Sequence, residues 1–334
     1  MKILAVESSC DETAVAVVED GRKVLCDCIA SQVELHRLYG GVVPEIASRK
    51  HMEAIYPLAE QALEKAGISR GDIDAIAVTY APGLIGAVLV GVNFAKAAAM
   101  ALDVPLIPVH HIRGHIAANY LAYSELKPPF LCLVVSGGHT MIVDVQDYTK
   151  FHIMGTTRDD AAGECFDKVA RVLGMPYPGG AALDKMAVGG DAKKYVLPHT
   201  KVSGNALDMS FSGLKTAALN LIHNSQQKGE EIDVPSLCAG FSAAVSEMLV
   251  PRTMEALKMT GYKKLAVAGG VAANSHIRRA FEEETEKIGA SLFLPPLSLC
   301  GDNAAMIGAQ GYYEYLAGNL AGTDLNAFAT LSIE

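Results

Sequence analysis

A chain of 334 residues, half of them hydrophobic and 19% charged, carries ample material for packed cores, which argues against disorder and makes two domains the expected organisation. Its formal charge of −9 at neutral pH excludes a uniformly basic nucleic-acid footprint and leaves room only for a local patch. Tryptophan is absent and aromatics make up 6%, a poor match for a stacking platform that reads single strands.

The chain opens on a strand pattern, MKILAVE, without the apolar stretch and small-residue cleavage site of a signal peptide. Residues 3–18 read as an apolar strand, a small polar turn and a second alternating strand. Cys26-Asp27-Cys28 alternates like strand positions and reads as packing. Seven cysteines with no Cys-x-x-Cys pair point to a reducing cytoplasm. Residues 73–102 run from a strand through a Pro-Gly turn into a small-residue helix, whose apolar part Val92–Leu102 is too short to span a bilayer. Lys127-Pro128-Pro129 marks a break, and the lobe boundary is placed there.

Beyond it the order repeats. Residues 131–145 form a second strand–turn–strand, and residues 264–288 a second strand, glycine turn and helix. Residues 190–235 read as a looser helical insert, and Asn303–Leu316 as a small-residue helix that returns to the first lobe. The expected lobes are therefore 1–128 with 303–334, and 129–302. Glycine turns ahead of helix N-termini suit phosphate, yet neither a Lys-bearing Walker pattern nor Gly-x-Gly-x-x-Gly occurs. A nucleotide cleft between two similar halves fits better than a P-loop enzyme or a Rossmann dehydrogenase.

Chemistry concentrates in two places. His111 and His115 stand at i and i+4, so they share a helix face and can ligate one ion; a pair of hydrogen-bonded histidines is the plainer reading. Asp302, in LCGDN, is a reasonable third donor that spacing alone does not select. A zincin-type peptidase needs Glu directly after the first His, and Ile112 stands there. Asp11 and Glu12 lie in the first turn, where carboxylates either cap the turn or serve in proton transfer.

ESSCDET at 7–13, GGVVPEIASRKH at 40–51, PGLIGAVLVG at 82–91, HHIRGH at 110–115, LVVSGGHT at 133–140, GECFDKVAR at 163–171 and AGGVAANS at 268–275 stand in order along the chain. Together they resemble the tRNA threonylcarbamoyladenosine transferase family, bacterial TsaD type, once labelled a glycoprotease, over essentially the whole length.

The resemblance implies a two-lobed actin-like ATPase (ASKHA) α/β fold with duplicated βββαβαβα lobes and a central nucleotide cleft. It implies transfer of the threonylcarbamoyl group of L-threonylcarbamoyl-adenylate to the exocyclic amine of the adenosine beside the anticodon in tRNAs reading ANN codons, with release of AMP. It implies one metal, iron and sometimes zinc, on His111, His115 and Asp302, and an adenylate site at Val134, Val135, Ser136, Gly137, Gly138, Asp167, Gly180, Asp184 and Asn274. Partners implied are tRNA, a TsaB-type actin-like paralogue and a TsaE-type P-loop ATPase, with no membrane.

Beside these, Gly269 and Gly270 are expected to face the phosphate, and Asp11 or Glu12 to accept the amine proton. Arg49, Lys50, Arg158 and Lys168 are the expected basic rim for tRNA. Rival readings are a superfamily kinase, which has no need of the His pair, a non-catalytic actin-like scaffold, and a metal-dependent peptidase.

Overall fold

An apolar run buried on both faces is what a central strand covered on each side requires, and KILAVE meets that condition. In a computed structural model that describes residues 1–198 and 202–334, β1 (Lys2–Glu7) is such a strand, fully buried from Ile3 to Glu7. It pairs antiparallel with β2 (Glu12–Glu19), which pairs antiparallel with β3 (Lys23–Ser31). A short helix α1 (Val33–Arg37) leads to α2 (Pro44–Ala66), which starts with Pro at its first position and stops at Gly67 in the left-handed conformation. Then follow β4 (Ala75–Ala81), α3 (Ile85–Leu102), β5 (Leu106–His110) and α4 (His111–Ala122). The sheet order is β3-β2-β1-β4-β5, with β4 and β5 parallel to β1.

The same order recurs. β6 (Phe130–Val135), β7 (Thr140–Asp147) and β8 (Lys150–Thr156) are followed by α5 (Ala162–Val172), α6 (Gly179–Met186), α7 (Ser212–Lys228) and α8 (Val234–Thr260). Next come β9 (Lys264–Ala268), a 3-10 turn at Gly270–Ala273, α9 (Ser275–Ile288), β10 (Ser291–Phe293) and α10 (Ala304–Leu316). The second sheet runs β10-β9-β6-β7-β8, which is the first sheet's order read from the other edge. The loose echo between the two strand–turn–strand segments is thus a repeated topology, each hairpin continued by a third strand, β3 and β8, as the resemblance implied.

The chain divides into two compact units. One comprises Met1–Pro128, Gln146–Phe151 and Pro295–Glu334; the other comprises Pro129–Val145 and His152–Leu294. The segment from Pro295 through Asp302 belongs with the first. α3 is longer than the apolar span Val92–Leu102 suggests, because Ile85–Gly91 are helical too. It and α8 are long and apolar enough to cross a membrane by length and composition; 72% of the α8 window is buried inside the protein, as a core helix is, and 33% of α3. Within 190–235 the regular structure is α7 and the start of α8, while 202–211 is irregular.

In the first unit, β5 passes into α4 without a loop, and α10 packs beside α4 and across β1 and β2. The contact is close because Gly114 faces α10: a Cβ there would stand 2.7 Å from Ile307 Cδ1 and 3.3 Å from Met306 Cγ. We expect Gly114→Val to cost about 1–3 kcal/mol by overpacking this seam. Gly137→Ala, where an added Cβ meets nothing within 4 Å, changes stability by less than about 0.5 kcal/mol. Denaturant midpoints of the two variants check the contrast.

Candidate functional site

β1, β4 and β5 run parallel, so their carboxyl ends line up, the edge at which open α/β sheets place ligands. Glu7 ends β1, Thr79 lies near the end of β4, and His111 begins α4 directly after β5. One helical turn later His115 lies on the same face, its ring centroid 4.6 Å from that of His111. Asp302, just ahead of α10, brings Oδ1 to 3.6 Å from His111 Nε2 and 3.3 Å from His115 Nε2. One ligand atom from each of the three lies within 4.8 Å of the others.

Donor chemistry fits a divalent transition metal, since two imidazoles and one carboxylate form the facial set that iron(II) and zinc accept. The surroundings fit as well. Both His Nε2 atoms converge on Asp302, whereas His115 Nδ1 is buried and has no hydrogen-bond partner among the described residues. His110, the first of the three histidines in this stretch, is no ligand: its Nδ1 accepts from Ile112 N and its Nε2 donates to Leu331 O.

Charge explains the protonation. Burial works to lower His111, but the carboxylates of Glu7 and Asp302 outweigh it and hold the ring protonated up to about 9. Burial works to raise Glu7, and the His111 charge with its hydrogen bond more than offsets that, leaving Glu7 below its usual range. Glu12, opposite Ser31 on β3, accepts from Ser31 Oγ at 2.8 Å and has a buried, unpartnered Oε2. Burial, aided by the charges of Asp11 and Asp302, pushes it up to about 7. Asp11 is buried beside it. Asp27, on β3, accepts from the backbone of Ala304 and Ala305 and so fastens the start of α10, two residues after Asp302; burial pushes it up to about 6.

In the second unit Val134 and Val135 are buried in β6, and Ser136, Gly137 and Gly138 form the turn to β7. A Cβ added to Gly137, Gly138 or Gly270 would meet nothing within 4 Å, so the backbone there stands open to an approaching group. Gly269, at φ +94, sits against Val135, whose carbonyl oxygen would lie 2.5 Å from an added Cβ. Asp167 Oδ1 accepts from Gly179 N and Gly180 N, capping α6.

The expected free N–H groups at the α9 N-terminus are occupied: Asn274 Oδ1 takes His276 N and Ile277 N, and Asp184 takes Ser275 N. That helix end therefore offers fewer open N–H groups than the glycine turns suggested by the sequence. Asn274 Nδ2 remains buried without a partner among the described residues.

All four expected basic-rim residues are engaged: Arg49 with Glu45, Lys50 with Glu53, Arg158 with Asp208, and Lys168 with Glu164. Glu7 and Asp27 carry no role in the sequence reading. Glu7 had a legible signal, a lone carboxylate closing an otherwise apolar strand.

Comparison with known proteins adds the context. The family model "TsaD: tRNA N6-adenosine threonylcarbamoyltransferase" matches residues 23–309. A protein of that name from Clostridium perfringens is 53% identical over 331 residues, 99% of this chain and 98% of its own. One from Clostridium botulinum is 50% identical over 333 residues. Among solved structures, HypF of T. kodakarensis aligns with a TM-score of 0.61 at 15% identity, covering 97% of this chain and 49% of that one. The (R)-2-hydroxyglutaryl-CoA dehydratase component A of Acidaminococcus fermentans aligns at 0.54 and 16% identity, covering 94% and 97%. At these identities the structures speak for the fold alone.

A ring held protonated to about 9 must lose its proton before it ligates. Zinc uptake by metal-free protein at pH 7 should release about one proton from His111, read in weakly buffered solution. Without metal, the raised His111 stabilises the fold fully below its ordinary 6.5, and this contribution is lost as pH rises through about 9. The thermal midpoint of the metal-free protein should accordingly fall across that window.

Proposed function

The chain belongs to the TsaD family of tRNA N6-adenosine threonylcarbamoyltransferases, a transferase acting on tRNA, and from that premise we propose its substrate and chemistry. The threonylcarbamoyl group of L-threonylcarbamoyl-adenylate passes to the exocyclic amine of the adenosine beside the anticodon, in tRNAs reading ANN codons. The observation that carries this reading is the convergence of His111, His115 and Asp302 beside a carboxyl, Glu12, pushed up to about 7.

That amine is a weak nucleophile because its lone pair is delocalised into the purine ring. His111, His115 and Asp302 would hold a divalent ion, iron or alternatively zinc, which would supply Lewis acidity at this site. The C–N bond forms, the bond from the carbonyl carbon to the phosphate oxygen breaks, and AMP leaves with the electron pair. Glu12, with a proton affinity matched to neutral pH, accepts the amine proton, and Asp11 beside it holds the amine in place. The adenylate is held by Val134–Gly138, Gly269 and Gly270, Asp167, Gly180, Asp184 and Asn274. The open glycine backbones and the unpartnered Asn274 Nδ2 support that assignment.

The division into a first lobe of 1–128 with 303–334 and a second of 129–302 is retained as a proposal, with 295–302 grouped by contact with the first. A net charge of −9 and a basic rim already paired with carboxylates favour tRNA binding completed by partner subunits, of TsaB and TsaE type. The proposed location is the cytoplasm, in keeping with a tRNA substrate and seven free cysteines.

The test is a single-turnover assay with the partner proteins, tRNA and adenylate labelled in its threonyl part. Label should enter tRNA one-for-one with AMP; label that never reaches tRNA overturns the reading. For the proton acceptor, the rate should rise with pH through about 7, where Glu12 ionises. Glu12→Gln should lose that limb and about 100-fold or more in rate while keeping its metal.

A further inference from the structure

Resting on the reading of His111, His115 and Asp302 as a metal centre, we propose that Glu7 is a positioning residue for it. Its buried carboxylate fixes the His111 ring with the proton on Nδ1, so that a bare Nε2 faces Asp302 and the ion.

Glu7 is 0% exposed, and no Lys or Arg pairs with it among the described residues. A buried carboxylate without such a partner is costly, and it persists where hydrogen bonds to the charged form repay the loss of water. Glu7 has three. Oε1 accepts from Ser9 N at 2.5 Å; Oε2 accepts from Thr79 Oγ1 at 2.6 Å and meets His111 Nδ1 at 2.9 Å. Ser9 N can only donate, and an ionised carboxylate can only accept. The pattern therefore has one consistent solution, in which His111 Nδ1 is the donor. Ser9 Oγ, 3.2 Å from the same nitrogen, shares that proton as a second acceptor.

Carboxylates that hold the far nitrogen of a metal-bound histidine set its tautomer and raise its basicity. The contrast with His115 is informative, because its Nδ1 is buried with no partner among the described residues. The centre is thus asymmetric: His111 is held by an anion on a strand end, and His115 only by its helix.

The Glu7→Gln substitution makes the difference testable. If the introduced side chain kept its oxygen toward Ser9 N, its amide would donate to His111 Nδ1 and drive the ring proton onto Nε2, into the ligand position. Turned over, the amide would confront Ser9 N–H at close range. Either orientation works against the ion. A purely structural Glu7, tying the ends of β1 and β4 through Thr79, predicts something else: Thr79→Val would then do equal harm.

The experiment is zinc(II) titration of metal-free wild type, Glu7→Gln and Thr79→Val, with thermal midpoints of each metal-free protein. Glu7→Gln should bind zinc about 10–100-fold more weakly, and Thr79→Val as wild type. Should Glu7→Gln fail to fold, nitrogen-15 NMR of the zinc-loaded wild type decides, with the His111 proton expected on Nδ1. Equal zinc affinity in wild type and Glu7→Gln, an equal loss in Thr79→Val, or a proton on Nε2 overturns the role of Glu7. Absence of zinc binding by the wild type removes the metal reading itself and this role with it.

Discussion

Close packing of α4 against α10 is the constraint from which the first unit's chemistry follows. α4 carries two of the three converging side chains, and α10 begins two residues after the third. The axes approach because Gly114 presents no side chain to Ile307 and Met306. Asp27, on the α10 face of β3, accepts from the first backbone N–H groups of α10. A larger residue at the seam would move Asp302 away from His111 and His115, and a centre of this kind tolerates little displacement. Fold and site are in this sense one packing problem, solved where β5 turns into α4 without a connecting loop.

Electrostatics supply the second layer. Glu7, Asp11, Glu12 and Asp302 gather acidic charge in the first unit; burial, aided by the charges of Asp11 and Asp302, raises Glu12, while His111 holds Glu7 below its usual range. His111 is raised by the charges of Glu7 and Asp302 against burial, and Glu12 is raised chiefly by burial. Burial with the Asp11 and Asp302 charges leaves Glu12 able to exchange a proton near neutral pH.

Much of this was legible in the sequence, and for identifiable reasons. Strand–turn–strand followed by strand–glycine–helix is a pattern of period and turn chemistry, and it recurs in both halves, so the repeated topology was within reach. The i, i+4 spacing of His111 and His115 fixes their shared face. Asp302 lies 187 residues beyond His115, and only the resemblance, not spacing, singled it out. The capping role of Asn274 hid behind its place in a glycine-rich motif, since a side chain that caps a helix reads the same as one that binds a ligand. Glu7 shows locally only as a carboxylate closing an apolar strand, and its partners Thr79 and His111, like those of Asp27, lie far along the chain where no local pattern reports them.

The central claim is that a metal on His111, His115 and Asp302 serves the transfer of the threonylcarbamoyl group. The most direct test measures bound metal and transfer rate in the same preparations, with wild type loaded to graded occupancy and Asp302→Ala alongside. Rate should rise in proportion to occupancy and be lost in the variant. Full transfer by metal-free wild type would contradict the account.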